Sequence, residues 1–466
     1  MTQTMLLGKT ITEIKDLIKA KKITKVEVFS YFTQRIEKYN PSINAYLTMQ
    51  KKTENSILDG ALSGIPLAVK DNFCTKGVRT TASAKVLDTF IPPYESTVTT
   101  HLKEAGYELL GKTNMDAWAH GSSTETSDYG ATKNPWDISR SPGGSSGGTA
   151  AAVSAYLAPA GIGSETAGSI RQPASWSGVV GLKPTYGRVS RYGVIAMGSS
   201  LDCPGPLTLC VEDAAIILQT IAGKDQFDAT SAPVPTEDYV AKMKEKKSYT
   251  IGIAKEYFEG LDDDIRKSLE ESIQVFKKLG FKTKEVSLLS PQYSISVYTI
   301  IQRAEVMSNL SRYDGIRYGN PRTFFGSEAK RRGMLGTYTL SYGYYDAFFK
   351  KAQKVRTLII EDFKRAFKDV DFIIGTPSPV TAIKLGEFEK YPFFGELMDK
   401  FNEPGAMAGI PGISLPTGLD RNGLPMSLHL MANYFREADL LNASYQFEKE
   451  TDFMGVIKKG INNLKA

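Results

Sequence analysis

Ser141-Pro142-Gly143-Gly144-Ser145-Ser146-Gly147-Gly148-Thr149, followed after an apolar run by Gly168-Ser169-Ile170-Arg171-Gln172-Pro173, sets two serine sites on glycine-rich backbone. Glycine reaches positive φ and lets main chain approach a ligand closely, so both segments can turn sharply and aim N–H groups at an anion. An acyl-transfer site needs that arrangement. A flexible Gly/Ser linker is the plain alternative, but a linker would not sit among Ala151, Ala152, Val153, Leu157, Ile162 and Val179. Gly144 to Gly148 also satisfies the G-x-S-x-G pattern of an α/β-hydrolase elbow. That elbow must follow a strand, and the segment before it, Asn134 to Pro142, is turn-like.

Outward from these loops, the pattern is that of an α/β protein. Ile11, Ile14, Leu17 and Ile18 have helical spacing, and Thr24-Lys25-Val26-Glu27 forms a capping box ahead of Val28, Phe32 and Ile36, so a helical lead-in of about residues 1–60 is expected. Ile65-Pro66-Leu67-Ala68-Val69 ends abruptly in Lys70-Asp71, as a buried strand does where its carboxyl end meets a cleft. Tyr249 to Ala254 reads as a strand, Asp262 to Leu279 as a helix, Phe281 to Val286 and Phe372 to Gly375 as further strands. A long helical stretch runs from about Gly343 to Phe367. The basic cluster Lys330-Arg331-Arg332 reads as a solvated face, and 319–386 as a smaller lobe or cap.

Composition narrows the function classes. With 466 residues, 41% of them hydrophobic, the chain can bury a large core. Apolar runs are broken well before about 18 residues, so no membrane span is expected, and Met1 to Lys9 lacks the apolar stretch of a secretory signal. A cytoplasmic location follows, with an organelle interior as the alternative. Cys74, Cys203 and Cys210 show no metal-type spacing, so buried thiols and no metal are expected. A net charge of +6 from 57 basic and 51 acidic residues is far from the clustered basicity of a dedicated nucleic-acid binder.

A serine nucleophile needs a base. His101, His120 and His429 all lie in helix-like or strand-like surroundings and read as structural. Lys70 is the other candidate. Its amine is normally protonated at pH 7, so burial must bring it near neutrality at a cost of about 4 kcal/mol; a surface lysine paired with Asp71 is the competing reading.

Taken together, Lys70, the Gly143–Gly148 loop and Gly168-Ser169-Ile170-Arg171-Gln172-Pro173 resemble the amidase signature family. The resemblance implies an amidase-signature α/β fold, a large mixed sheet covered by helices on both faces, in a single domain over 1–466. It implies a Ser-cisSer-Lys triad with Ser169 as nucleophile, Ser145 as the bridging serine and Lys70 as base. Backbone N–H groups of Thr166, Ala167, Gly168 and Ser169 would form the oxyanion hole. Asn134-Pro135-Trp136-Asp137, Lys183 to Gly193, Ser199 to Asp202 and Arg312-Tyr313-Asp314-Gly315 narrow the resemblance to the A subunits of aspartyl/glutamyl-tRNA amidotransferases. Such subunits hydrolyse glutamine and supply ammonia for converting Glu-tRNA(Gln) or Asp-tRNA(Asn). By that resemblance Tyr313, Arg356 and Asp399 would hold glutamine. B and C subunits would be partners, tRNA would be met mainly through the complex, and ATP and Mg would be used by the partner, with no cofactor in this chain. No P-loop pattern occurs here. The chain reads Glu165-Thr166-Ala167-Gly168-Ser169 where the family usually has Asp-Thr-Gly-Gly-Ser. If position 167 needs φ > 0, alanine would cost about 1 kcal/mol or more. A free-standing amidase acting on another small amide and a non-catalytic scaffold are the competing functional readings.

Overall fold

Thr10 and Thr24 accept hydrogen bonds from the backbone of Glu13 and Glu27, whose carboxylates reach back to the cap N–H groups. These reciprocal bonds satisfy donors that a helix start leaves open, and they begin the helices Ile11–Lys19 and Lys25–Ile43. The computed structural model describes residues 5–50, 59–316, 319–390, 394–452 and 454–458. The outer parts of the lead-in, 1–4 and 51–58, fall outside them.

Eleven strands form one mixed sheet among the described residues. In chain order they are β1 (Tyr46–Met49), β2 (Pro66–Lys70), β3 (Glu108–Thr113), β4 (Ala160–Glu165), β5 (Val180–Lys183), β6 (Cys203–Thr208), β7 (Thr250–Ala254), β8 (Lys282–Val286), β9 (Phe372–Gly375), β10 (Gly412–Leu419) and β11 (Pro425–Ala432). Across the sheet they run β1-β3-β2-β4-β6-β5-β10-β11-β9-β7-β8. β2 lies parallel to β3 and β4, and β7 parallel to β8 and β9, while the strands between are antiparallel. All five residues of β2 are buried, as its continuous apolar run requires, and β4 is buried throughout. The parallel pairing of β2 and β4 brings the ends of both strands, Lys70 and Glu165, to the same edge of the sheet.

The expected helix over 262–279 is present as Asp263–Lys278, with Ile265, Leu269, Ile273 and Phe276 inward. The stretch 343–367 forms a wider-wound turn, Tyr345–Lys350, continuing into the helix Lys351–Ala366. The segment 319–386 contributes β9 to the sheet, third from its β8 edge, and Ile359 and Phe363 to the main core. Lys330 and Arg331 are exposed, but Arg332 is not: it is 5% exposed and its guanidinium bonds Glu328. The solvated-face reading of that cluster therefore fails at its third residue, because the helix Ser327–Leu340 turns Arg332 inward with Ala329, Gly336 and Thr339. No helix of the described residues is long and apolar enough to cross a membrane.

Candidate active site

Lys70 closes β2 with its side chain fully buried. Its Nζ lies 2.8 Å from Ser145 Oγ, 2.9 Å from Ser146 Oγ and 2.9 Å from the carbonyl of Ser164. Burial pulls the amine down to about 7, against the opposing fields of Asp116, Asp202 and Glu165. A neutral lysine facing two hydroxyls can accept a proton from either. The surface-lysine reading does not hold, because Asp71 turns away and accepts from the backbone of Thr81 and Ser83.

Both serine loops fold against this amine. Ser145 follows a cis peptide bond after Gly144, and Ser146 stands at the start of the buried helix Gly147–Ser154. Gly143 adopts φ +85°, and a side chain there would press on Gln172 and Pro173. The backbone N–H of Ser146 donates to the carbonyl of Ser169 at 3.1 Å, and Gly144 N–H to Gln172 Oε1 at 3.0 Å, which ties the first loop to the second.

The second loop hangs between β4 and the helix Arg171–Ser177. Glu165 and Arg171 bracket it as a fully buried ion pair, and Glu165 Oε2 also accepts the N–H groups of Ile170 and Arg171 at 3.0 and 3.1 Å. Arg171 donates to the carbonyl of Ala167 at 2.8 Å as well. The longer glutamate at position 165 thus reaches past the turn to hold its far side. Ala167 and Gly168 both lie outside the left-handed region, so alanine carries no positive-φ cost here. Among the described residues, no hydrogen bond is made by the backbone N–H groups of Ala167, Gly168 or Ser169. Thr166 is fixed by its hydroxyl, which donates to Asp202 Oδ1 at 2.7 Å.

Ser169 lies on the wall of a narrow recess of about 10 Å³, partly open to solvent, with Ser122, Tyr298, Arg332, Glu396 and Asp399. Asp399 accepts from Ser122 at 2.8 Å through one oxygen, while the other is buried and unpartnered. Burial pushes this carboxyl up to about 8, a level that a cation in the recess would bring down. Arg332 enters from the opposite element, its Nε spent on Glu328 at 2.5 Å.

Of the three residues expected to hold a ligand, the structure brings only Asp399 to this recess. Arg356 donates to the carbonyl of Met407 at 2.9 Å and to Ser200 Oγ and carbonyl at 2.8 and 3.0 Å. Its guanidinium is spent on Ser200 and the Met407 carbonyl, away from the recess. Tyr313 packs on Trp118 with ring centroids 4.7 Å apart, in an apolar cluster that includes Ala119 and Met197, two other residues of the recess wall. Sequence reasoning does not name Arg332 or Tyr298 as site residues. A stripe at helical spacing, Ala329-x-x-Arg332-x-x-x-Gly336-x-x-Thr339, is the available signal for the arginine.

Of the histidines, His429 on β11 meets Arg171 at 2.7 Å, and His120 is buried. All three cysteines are buried and free.

Comparison with known proteins places the chain in a family. The Amidase family matches residues 27–441. The A subunit of glutamyl-tRNA(Gln) amidotransferase from Thermodesulfovibrio yellowstonii is 47% identical, with 95% of this chain and 97% of the relative covered. The same-named protein of Carboxydothermus hydrogenoformans is 48% identical over 95% of this chain and 97% of its own. Among solved structures, the A subunit of glutamyl-tRNA(Gln) amidotransferase from Thermotoga maritima superposes with a TM-score of 0.85 at 38% identity, covering 95% of both chains. A 6-aminohexanoate cyclic dimer hydrolase superposes with a TM-score of 0.89 at 25% identity, covering 96% of this chain and 98% of its own. The chain, with its two serine loops and buried lysine inside the matched span, belongs to the amidase family.

Proposed function

We propose that this chain is the glutamine-hydrolysing A subunit of a tRNA-dependent amidotransferase and releases ammonia for a partner that amidates Glu-tRNA(Gln) or Asp-tRNA(Asn). The observation that carries the reading is the neutral-range amine of Lys70 at 2.8 Å from Ser145, with Ser169 on the wall of a recess that also holds Arg332 and Asp399. Relatives 47% identical over almost the whole chain, bearing that name, support it.

In this mechanism Lys70 takes the proton of Ser145 as Ser145 takes that of Ser169. The Ser169 oxygen bonds to the side-chain amide carbon, and the developing oxyanion faces the N–H groups of the 167–169 turn, each worth roughly 3 kcal/mol. The C–N bond then breaks as the proton returns through Ser145 to the leaving nitrogen, which departs as ammonia. Water adds to the acyl-enzyme, its proton passing back to Ser169, and glutamate is freed. Asp399 would take the α-ammonium of glutamine through its unpartnered oxygen, and Arg332 the α-carboxylate through its terminal nitrogens. Tyr313 and Arg356 would act one layer behind. B and C subunits would carry the tRNA, ATP and Mg.

The test is ammonia release from glutamine and from simple amides, with and without copurified partner subunits. Arg332→Met should raise KM for glutamine about tenfold or more, while simple amides lacking an α-carboxylate are turned over slowly by both forms. Preferential turnover of a simple amide, unaffected by partners, would instead make the chain a free-standing amidase.

A further inference from the structure

In the wall of the recess, two anions compete for the guanidinium of Arg332. It is flanked by Glu328, bonded at 2.5 Å, and by Glu396, which lines the same recess. Glu396 is instead taken by Arg303, whose terminal nitrogen donates to its Oε1 at 2.8 Å, in a pair whose side chains are 2% and 4% exposed. Burial alone would raise the Glu396 carboxyl, but the guanidinium groups of Arg332 and Arg303, with hydrogen bonds from Arg303 and the backbone, hold it below the usual carboxylate value. Asp399 and Glu403 complete the acidic surroundings of Tyr298 in this wall. A charged Glu396 so close to Arg332 would fold onto its terminal nitrogens if nothing else held it.

The geometry points to Arg303 as a positioning residue: by engaging Glu396 it keeps the terminal nitrogens of Arg332 open for the substrate carboxylate. Arg303 touches neither Ser169 nor the recess itself, so it acts through Glu396. Without Arg303, Glu396 would turn to Arg332, and a substrate carboxylate would have to displace it. The loss would fall on binding rather than on acyl transfer, because the Lys70 side of the site is untouched. This inference rests on the reading that Arg332 binds the substrate α-carboxylate.

Glutamine-dependent ammonia release by the full chain with its copurified partners tests it through a two-residue cycle. Arg303→Met should raise KM about tenfold with kcat within about threefold. Adding Glu396→Gln should bring KM back to within about threefold of the parent, because the competing anion is gone. Arg303→Lys, which keeps a buried cation but shortens its reach, should show the same reversal at smaller amplitude and serves if the methionine variant fails to fold. An unchanged KM in the Arg303 variants, or a rise that Glu396→Gln does not reverse, overturns the inference. Arg332→Met separates the two layers: if it leaves KM for glutamine unchanged, the carboxylate reading itself falls. If it raises KM while the Arg303 variants do not, only the positioning role of Arg303 falls.

Discussion

The two sides of the Ser169 recess are built by different physics. On the reactive side, Lys70, Ser145, Ser146 and Ser169 sit on a strand end and two glycine-rich turns, all buried and cross-linked by backbone hydrogen bonds such as Ser146 N–H to the Ser169 carbonyl. On the opposite side, Tyr298, Arg332, Glu396 and Asp399 come from helices, and their alignment depends on side-chain charge pairs. The reactive side uses main chain closely surrounded by buried polar side chains, so a side chain added there must push them out of place. The helical side uses long, paired side chains, so a change is absorbed by re-pairing and alters recognition before it alters chemistry.

That difference orders the expected effects. Removing the attacking hydroxyl by Ser169→Ala, or the base by Lys70→Met, should cost about 10³-fold or more in ammonia release with folding intact, as read by circular dichroism alongside turnover. Substantial turnover in either variant would unseat that residue. Gly168→Ala comes next. Its Cβ would collide with Asp399 Oδ1 and stand 2.6 Å from Asn402 Nδ2, so loop and carboxylate must separate, and both kcat and KM should worsen, by about tenfold or more. If only KM moved, the turn would be more compliant than its backbone bracing implies.

The pH dependence is the sharpest in form. Lys70 is active when neutral, and its folded-state value near 7 means that kcat should rise with pH, about tenfold per unit below 7, and level off above it. Asp399 must be ionised to accept an ammonium, and burial holds it near 8. kcat/KM for glutamine should therefore keep rising toward pH 8, and this second limb should vanish for an amide that lacks the ammonium. A kcat profile flat from pH 5 to 8 would remove Lys70 as the base.

Much of the reactive side is legible without the fold. Glycine and serine spacing marks turns that approach a ligand, and the apolar run before Lys70 marks a strand that buries its last residue. The serines alone leave the nucleophile ambiguous, and only the family resemblance assigns it to Ser169. The consequence of Ala167 is not legible either. Its φ depends on how Glu165 and Arg171 close the turn, and that ion pair forms through the fold around a buried loop.

The chain by itself marked an apolar strand ending at Lys70 and two glycine-rich serine turns, because strand burial and glycine geometry are local properties; only the family resemblance joined them in one site. Which arginine faces the recess was decided only by tertiary packing. Arg332 and Arg356 both lie on amphipathic helices with basic neighbours, and each falls in a stripe of buried residues at helical spacing, so the stripe alone does not choose between them. Packing turns the small-residue stripe of Ser327–Leu340 inward and carries Arg332 with it, while it spends Arg356 on the carbonyls of Ser200 and Met407. A buried guanidinium goes where acceptors are waiting, and only the assembled fold sets where those acceptors are.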